Sequence, residues 1–264
     1  MRLVLEPTLA SKLQGDYRTG KRINMKKIIP FIASDFRKDK IWLRRTKPSV
    51  RKYQVLLAID DSRSMYERKC GHFAMEALTL ICRAMARLEV GEVGVVSFGE
   101  TGNVRSIHPL GDPFSDVNGP SLVSQFKFDQ DNTIKDTPVA EMLHSIEALM
   151  DDARQRADSS SQCQLQQLVL IIADGHFHEK ESLRRRVRAM QDTPGLLLAF
   201  IALDTAKDSL LELQSVSFAG GKPSFTKYMD SFPFAFYTVI QNIEALPRTL
   251  ADLLRQWFEM TAHD

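Results

Sequence analysis

Tyr53-Gln-Val-Leu-Leu-Ala-Ile-Asp-Asp-Ser-Arg-Ser-Met65 runs from an apolar, β-branched stretch straight into a cluster of carboxylates and hydroxyls. An apolar run bounded by polar residues reads as a strand buried on both faces, as in a parallel sheet. Leu168-Val-Leu-Ile-Ile-Ala-Asp-Gly175 repeats the arrangement, a buried strand ending in Asp. Val93–Phe98 and Leu196–Leu203 are two more such runs, Val104–His108 reads as a short edge strand, and Phe236–Ile240 reads as another strand. Between them lie helices. One spans about Arg68–Leu88, with Phe73, Ala77, Ile81, Met85 and Leu88 at helical spacing. A second covers Pro138–Arg156 and a third Glu181–Met190. A last helix has Pro247 in its first turn and uses Leu246, Leu250, Leu253, Leu254 and Trp257. Residues 109–132 read as irregular, with a short helix near Leu122. Strands alternating with helices imply a doubly wound, mostly parallel α/β sheet with helices on both faces. Such sheets bind ligands at the carboxyl ends of their strands.

The whole chain of 264 residues carries a formal charge of only +2, which hides a split. Residues 1–52 hold 15 basic and 4 acidic side chains, while residues 53–264 hold 20 basic and 29 acidic ones. The expected organisation is therefore a basic N-terminal extension, residues 1–52, joined to an acidic body, residues 53–264. Ile28, Ile29, Phe31, Ile32, Ile41, Trp42 and Leu43 are too apolar for a fully disordered tail. Part of the extension is expected to pack on the body and part to form a mobile basic loop. The split argues against a uniformly basic nucleic-acid module. No apolar run approaches the roughly 20 residues of a membrane span, so no membrane partner is expected. The N-terminus lacks the pattern of a secretory signal. Cys70, Cys82 and Cys163 form no zinc pattern, and an odd, scattered set suits a reducing compartment.

Three loops reach one edge of the expected sheet. Asp60-Asp-Ser62-Arg-Ser64 follows the first strand, Asp131-Asn-Thr133 precedes the long helix, and Asp174-Gly175 ends the later strand. Carboxylate and hydroxyl oxygens suit a hard divalent cation, Mg²⁺ or Mn²⁺. Asp-x-Ser-x-Ser alone is also a turn or helix-cap pattern. His176-Phe-His178-Glu179 could suggest zinc, but alternate residues in a loop with no further ligand in sight read better as surface residues. No Gly-x-Ser-x-Gly elbow makes Ser62 a nucleophile.

The three loops resemble the metal-ion-dependent adhesion site of von Willebrand factor A domains. The resemblance implies a von Willebrand factor A/Rossmann-like fold in which Asp60, Ser62, Ser64, Thr133 and Asp174 hold the ion. Thr137, in Thr137-Pro-Val-Ala140, is the alternative threonine. Arg63, Met65, Gly175 and His176 are expected to face a partner whose Asp or Glu completes the metal shell.

A wider set of stretches resembles the midasin family: Gly20–Pro30, Lys38–Pro48, Gln166–Gly175, Asp230–Phe234 and Asn242–Phe258. Midasins are large dynein-like AAA ATPases of ribosome assembly, and the resemblance implies their C-terminal domain. It implies a non-catalytic module that grips ubiquitin-like domains of WD-repeat assembly factors on the pre-60S particle, so that the AAA ring of the parent chain removes them. No Walker A sequence is present here. It also implies a nuclear location, in nucleolus and nucleoplasm. Lys21, Arg22, Lys26, Lys27, Arg44 and Arg45 could then form a nuclear import signal for an import receptor, or an auxiliary contact. The rival function is a nucleic-acid or ribosomal-RNA-binding module driven by the basic extension.

Overall fold

A computed structural model describes residues 13–19, 22–45, 52–88, 91–99, 104–114, 118–130, 137–158, 165–177, 180–204, 209–219 and 222–263. The chain divides into two compact units, Met1–Val50 and Arg51–Asp264.

The first unit contains β1 (Leu13–Tyr17), β2 (Arg22–Ile23), α1 (Met25–Ala33) and β3 (Trp42–Arg45). Its strands form an antiparallel sheet in the order β1-β3-β2. The Asn24 side chain caps α1 by accepting from the Lys26 N–H at 3.2 Å. Asp16 pairs with Lys27 and Asp39 with Arg18. Phe31 packs edge-on against Phe36 with ring centroids 5.1 Å apart. No residue of α1 is buried, and Met25, Ile29 and Ile32 are exposed along it. The sequence reading draws no helix or strand in this stretch. Its strands have two to five residues, too few to show a period, and Pro30 inside α1 argues locally against a helix.

The second unit begins with β4 (Lys52–Asp60), α2 (Arg63–Glu67), α3 (Gly71–Leu88), β5 (Glu92–Phe98), β6 (Arg105–His108) and α4 (Gly119–Val123). It continues with α5 (Thr137–Asp158), β7 (Leu165–Ala173), α6 (Lys180–Gln191), β8 (Leu196–Leu203), β9 (Gln214–Ala219) and β10 (Lys222–Lys227). β11 (Tyr237–Ile240) and α7 (Leu246–His263) close it. The main sheet has the order β11-β8-β7-β4-β5-β6, parallel except for the antiparallel edge strand β6. This is the doubly wound α/β fold read from the sequence.

Val55–Ile59 and Leu168–Ile172 are buried on both faces, which explains their unbroken apolar character. Phe200 sits in an aromatic cluster, stacked on Phe234 at 4.7 Å and edge-on to Phe177 and Phe232, each at 5.4 Å. Tyr53 anchors α7 through Trp257 at 5.3 Å and Phe258 at 5.1 Å.

Two features depart from the sequence reading. The helix expected over about Arg68–Leu88 is α3, which starts at Gly71; the short α2 before it is not in the reading, and Lys69, at a left-handed φ of 60°, separates the two. β9 and β10 form an antiparallel hairpin that the reading does not contain. Its sequence signal was the Gly220-Gly221 pair between short alternating runs.

Phe200→Ala should cost about 3–5 kcal/mol, as for other fully buried aromatics. Urea unfolding should show a lower midpoint at unchanged slope.

Candidate functional site

β4 and β7 run side by side in a parallel register that pairs Ile59 with Ile172. Their carboxyl ends therefore coincide. Asp60 is the last residue of β4, Asp174 follows the last residue of β7, and each is only 7 % exposed. The Ser62 N–H donates to Asp60 Oδ1 at 2.9 Å, an Asx turn that folds the chain back over the strand end. Ser62 then occupies the N-cap of α2, yet its side chain makes no capping bond. Its Oγ lies 2.9 Å from Ser64 Oγ instead. A serine that only terminated the helix would accept from a first-turn N–H. Here two hydroxyls are gathered beside two carboxylates.

The electrostatics of this arrangement are unfavourable without a cation. Burial pushes the Asp60 carboxyl up to about 7, the Asp174 charge adds to the shift, and hydrogen bonding from Ser62 opposes it. Arg68 stands beside Asp174, its Nε 3.5 Å from Oδ2. Arg68 Nη1 also reaches the His176 ring, 2.6 Å from Nε2 and 3.0 Å from Nδ1. Burial holds His176 below the usual histidine range. Among the described residues no three His, Cys, Asp or Glu side chains are grouped to hold a metal ion. The donors that could hold one are Asp60, Ser62, Ser64 and Asp174, a mixed set of carboxylate and hydroxyl oxygens. A divalent cation fits them on two grounds: it neutralises the buried carboxylates and gives the paired hydroxyls an acceptor for their lone pairs.

Asp61, which the sequence reading did not single out, organises the neighbouring loop. It is 1 % exposed. Its Oδ1 accepts from the Lys127 and Phe128 N–H groups at 3.0 and 2.7 Å, and its Oδ2 from Gln130 Nε2 at 2.9 Å. Arg105 Nη2 lies 3.6 Å from the same oxygen. Ser62 and Gln130 form an isolated parallel bridge, with the Arg63 N–H donating to Gln130 O at 2.8 Å. Residues 126–130 are thereby held against the metal-site turn. The available signal was the doubled Asp60-Asp61 after a buried strand. Thr133 lies outside the described residues, and the Thr137 side chain does too.

Two of the residues expected to face a partner are corrected. Met65 is fully buried, because the first turn of α2 aims it into the core. Gly175 is buried as well, with a φ of 77°, and its carbonyl accepts from the Tyr228 hydroxyl at 2.9 Å. A Cβ there would stand 3.0 Å from Leu210 Cδ1, so the turn after Asp174 needs glycine. Arg63 is exposed and pairs with Glu67 at 3.2 Å, while His176 is half-buried. In the basic extension Lys26 is exposed and Lys27 is paired with Asp16. Lys21 and the side chains of Arg22, Arg44 and Arg45 lie outside the described residues.

The fold is shared with solved structures of low identity. Proximal thread matrix protein 1 from the mussel byssus aligns with a TM-score of 0.50 and 12 % identity, over 78 % of this chain and 48 % of that one. The open conformation of the pilus adhesin SpaC from Lactobacillus rhamnosus GG aligns at 0.52 and 13 %, over 81 % of this chain and 31 % of the adhesin. These likenesses concern the fold alone. No family model matches the chain. Midasin from Dictyostelium discoideum is 47 % identical over 264 residues, 99 % of this chain. The chain belongs to the midasin family. Midasin from Giardia intestinalis is 41 % identical over 98 % of the chain. The chain spans only 4 % and 5 % of these two midasins, so it corresponds to a small part of either.

Asp61→Ala should lower stability by about 1.5–3 kcal/mol, the usual range for bonds to a charged acceptor. Amides of Lys127 and Phe128 should lose protection in hydrogen exchange, whereas β4 amides should keep theirs.

Proposed function

We propose that this midasin segment is a metal-dependent protein-binding module. The observation that carries the reading is the pairing of the Ser62 and Ser64 hydroxyls beside the buried carboxylates of Asp60 and Asp174. With a threonine from the 131–137 stretch they would hold Mg²⁺, or Mn²⁺ in its place. When bound, the ion supplies a Lewis-acidic coordination position for an oxygen ligand from outside the chain. This chain's residues bury and orient the donors, and four or five protein oxygens would leave a coordination position open. A partner Asp or Glu side chain is the ligand that best completes such a shell. The described residues pair no general base with a nucleophile at this edge, which supports binding rather than catalysis.

Family membership supports a finer reading. The partner is a ubiquitin-like domain of a WD-repeat assembly factor on the pre-60S particle, gripped so that the AAA ring of the parent chain can remove it. The basic first unit serves nuclear import or an auxiliary contact, and the module works in the nucleolus and nucleoplasm.

Calorimetric titration with a candidate ubiquitin-like domain tests the reading. Binding should vanish in EDTA and return with Mg²⁺. Contacts to nucleic-acid phosphates would instead respond steeply to salt and ignore the chelator. Ser62→Ala with Ser64→Ala should keep the fold and weaken partner binding by about 2–5 kcal/mol, roughly thirty- to several-thousand-fold. A loss below about threefold would overturn metal bridging.

The Asp60 shift adds a pH dependence. Its folded pKa, about 7, lies above the ordinary 3.8, so without metal its contribution favours folding most at low pH and is lost as pH rises through 7. The proton and the ion compete for the same carboxylate. Mg²⁺ affinity should therefore fall about tenfold per pH unit below 7. The Mg²⁺-induced rise in Tm should be larger near pH 8 than near pH 6, and an equal rise at both would contradict this assignment of Asp60.

A further inference from the structure

We propose that Arg68 sets the site's choice of an anionic partner, and that it does so at the expense of the site's hold on the metal ion. The proposal rests on the metal-dependent reading above. Arg68 is the C-cap of α2, the short helix whose N-cap is Ser62, and its N–H donates to Ser64 O at 2.9 Å. One five-residue helix thus presents both hydroxyls and a guanidinium to the same edge. Arg68 Nε lies 3.5 Å from Asp174 Oδ2, and the side chain is 31 % exposed against 9 % for Asp174. The guanidinium therefore sits between the buried carboxylate and solvent. His176, seated against Nη1, holds it there. The other buried aspartate of the turn, Asp61, has its own arginine, Arg105.

Charge bookkeeping gives Arg68 two effects of opposite sign. Asp60 and Asp174 together carry two negative charges when ionised, and a divalent cation cancels them. Arg68 then adds a positive charge beside the neutralised pair, and Asp204, whose charge also reaches His176, is held by Ser209, Leu210 and Gln241 instead. A neutral water does not relieve that positive charge; a carboxylate does. A cation that takes Asp174 as ligand also shares that carboxylate with Arg68, and like charges at close range in a half-buried site repel. Arg68 thus weakens metal binding in the absence of a partner and strengthens the binding of an acidic side chain once metal is in place. Its planar donors can also hydrogen-bond the carboxylate oxygen that the metal leaves free. In consequence, partner and metal bind cooperatively: each is weak alone, and together they neutralise the site.

Arg68→Gln separates these effects, and Arg68→Lys keeps the charge without the fork. The full chain is titrated calorimetrically with MgCl₂ alone, then, saturated with Mg²⁺, with sodium glutarate as a mimic of an acidic side chain. Arg68→Gln should bind Mg²⁺ about three- to thirtyfold more tightly and glutarate at least about fivefold more weakly. A purely structural role would weaken both. Arg68→Lys should bind Mg²⁺ as the unaltered chain does and glutarate with intermediate affinity; it carries the test alone if Arg68→Gln fails to fold. If the unaltered chain binds Mg²⁺ but Arg68→Gln binds it no more tightly, or if Arg68→Lys equals the unaltered chain for both ligands, this proposal is overturned while the metal reading stands. Failure of the unaltered chain to bind Mg²⁺ removes the metal reading and this proposal together.

Discussion

The parallel register of β4 against β7 is the constraint on which the site depends. Residue pairs from Lys52↔Leu165 to Ile59↔Ile172 run without a break, so Asp60 and Asp174 emerge from the sheet at the same level. A slip of one residue would turn the apolar side chains of either strand to the opposite face. Both faces are buried here, so such a slip would have to repack the helical layers on each side. Packing thus fixes the relative position of two like charges that would otherwise move apart. The strand interiors bury the carboxylates and hold them together; burial chiefly, and the neighbouring Asp174 charge in addition, raise the Asp60 pKa.

Around that pair the chain divides its polar groups by task. Asp61, one residue beyond Asp60, takes two backbone N–H groups and a glutamine amide and fixes the neighbouring loop. Asp204, at the end of β8, accepts from the Ser209 hydroxyl at 2.7 Å, the Leu210 N–H at 3.2 Å and Gln241 at 3.0 Å. Leu210 in turn lies against the buried Gly175 turn. Two aspartates with several donors each act as scaffold. Among the described residues Asp60 and Asp174 have fewer donors, and that difference separates ligand candidates from scaffold.

The parts legible in the sequence were those governed by burial on both faces. The four apolar runs appear as β4, β5, β7 and β8 within a residue or two of their expected ends, and the topology of such a sheet brings Asp60, Ser62, Ser64 and Asp174 to one edge. What could not be read depends on conformations with no periodic signature. Lys69 enters the left-handed region and sets off the five-residue α2, too short to carry an apolar repeat, from α3. Met65 follows the serines closely enough to look like part of the surface loop, but α2 begins at Arg63 and turns it inward. The two- to five-residue strands of the first unit offer no alternation to count. Asp61 was overlooked because its role lies in a contact 66 to 69 positions along the chain.

The strand order has a mechanical corollary. β4 and β7 are the two innermost strands of the six, each hydrogen-bonded on both sides, to β5 and β7 and to β4 and β8 respectively. A load applied to an ion held at Asp60 and Asp174 enters the fold at their carboxyl ends and runs along their axes. The ladders on either side are then strained in shear, with many bonds sharing the load, whereas an edge strand such as β6 or β11 would be peeled one bond at a time. A grip placed at this edge pulls on the part of the sheet best able to bear it.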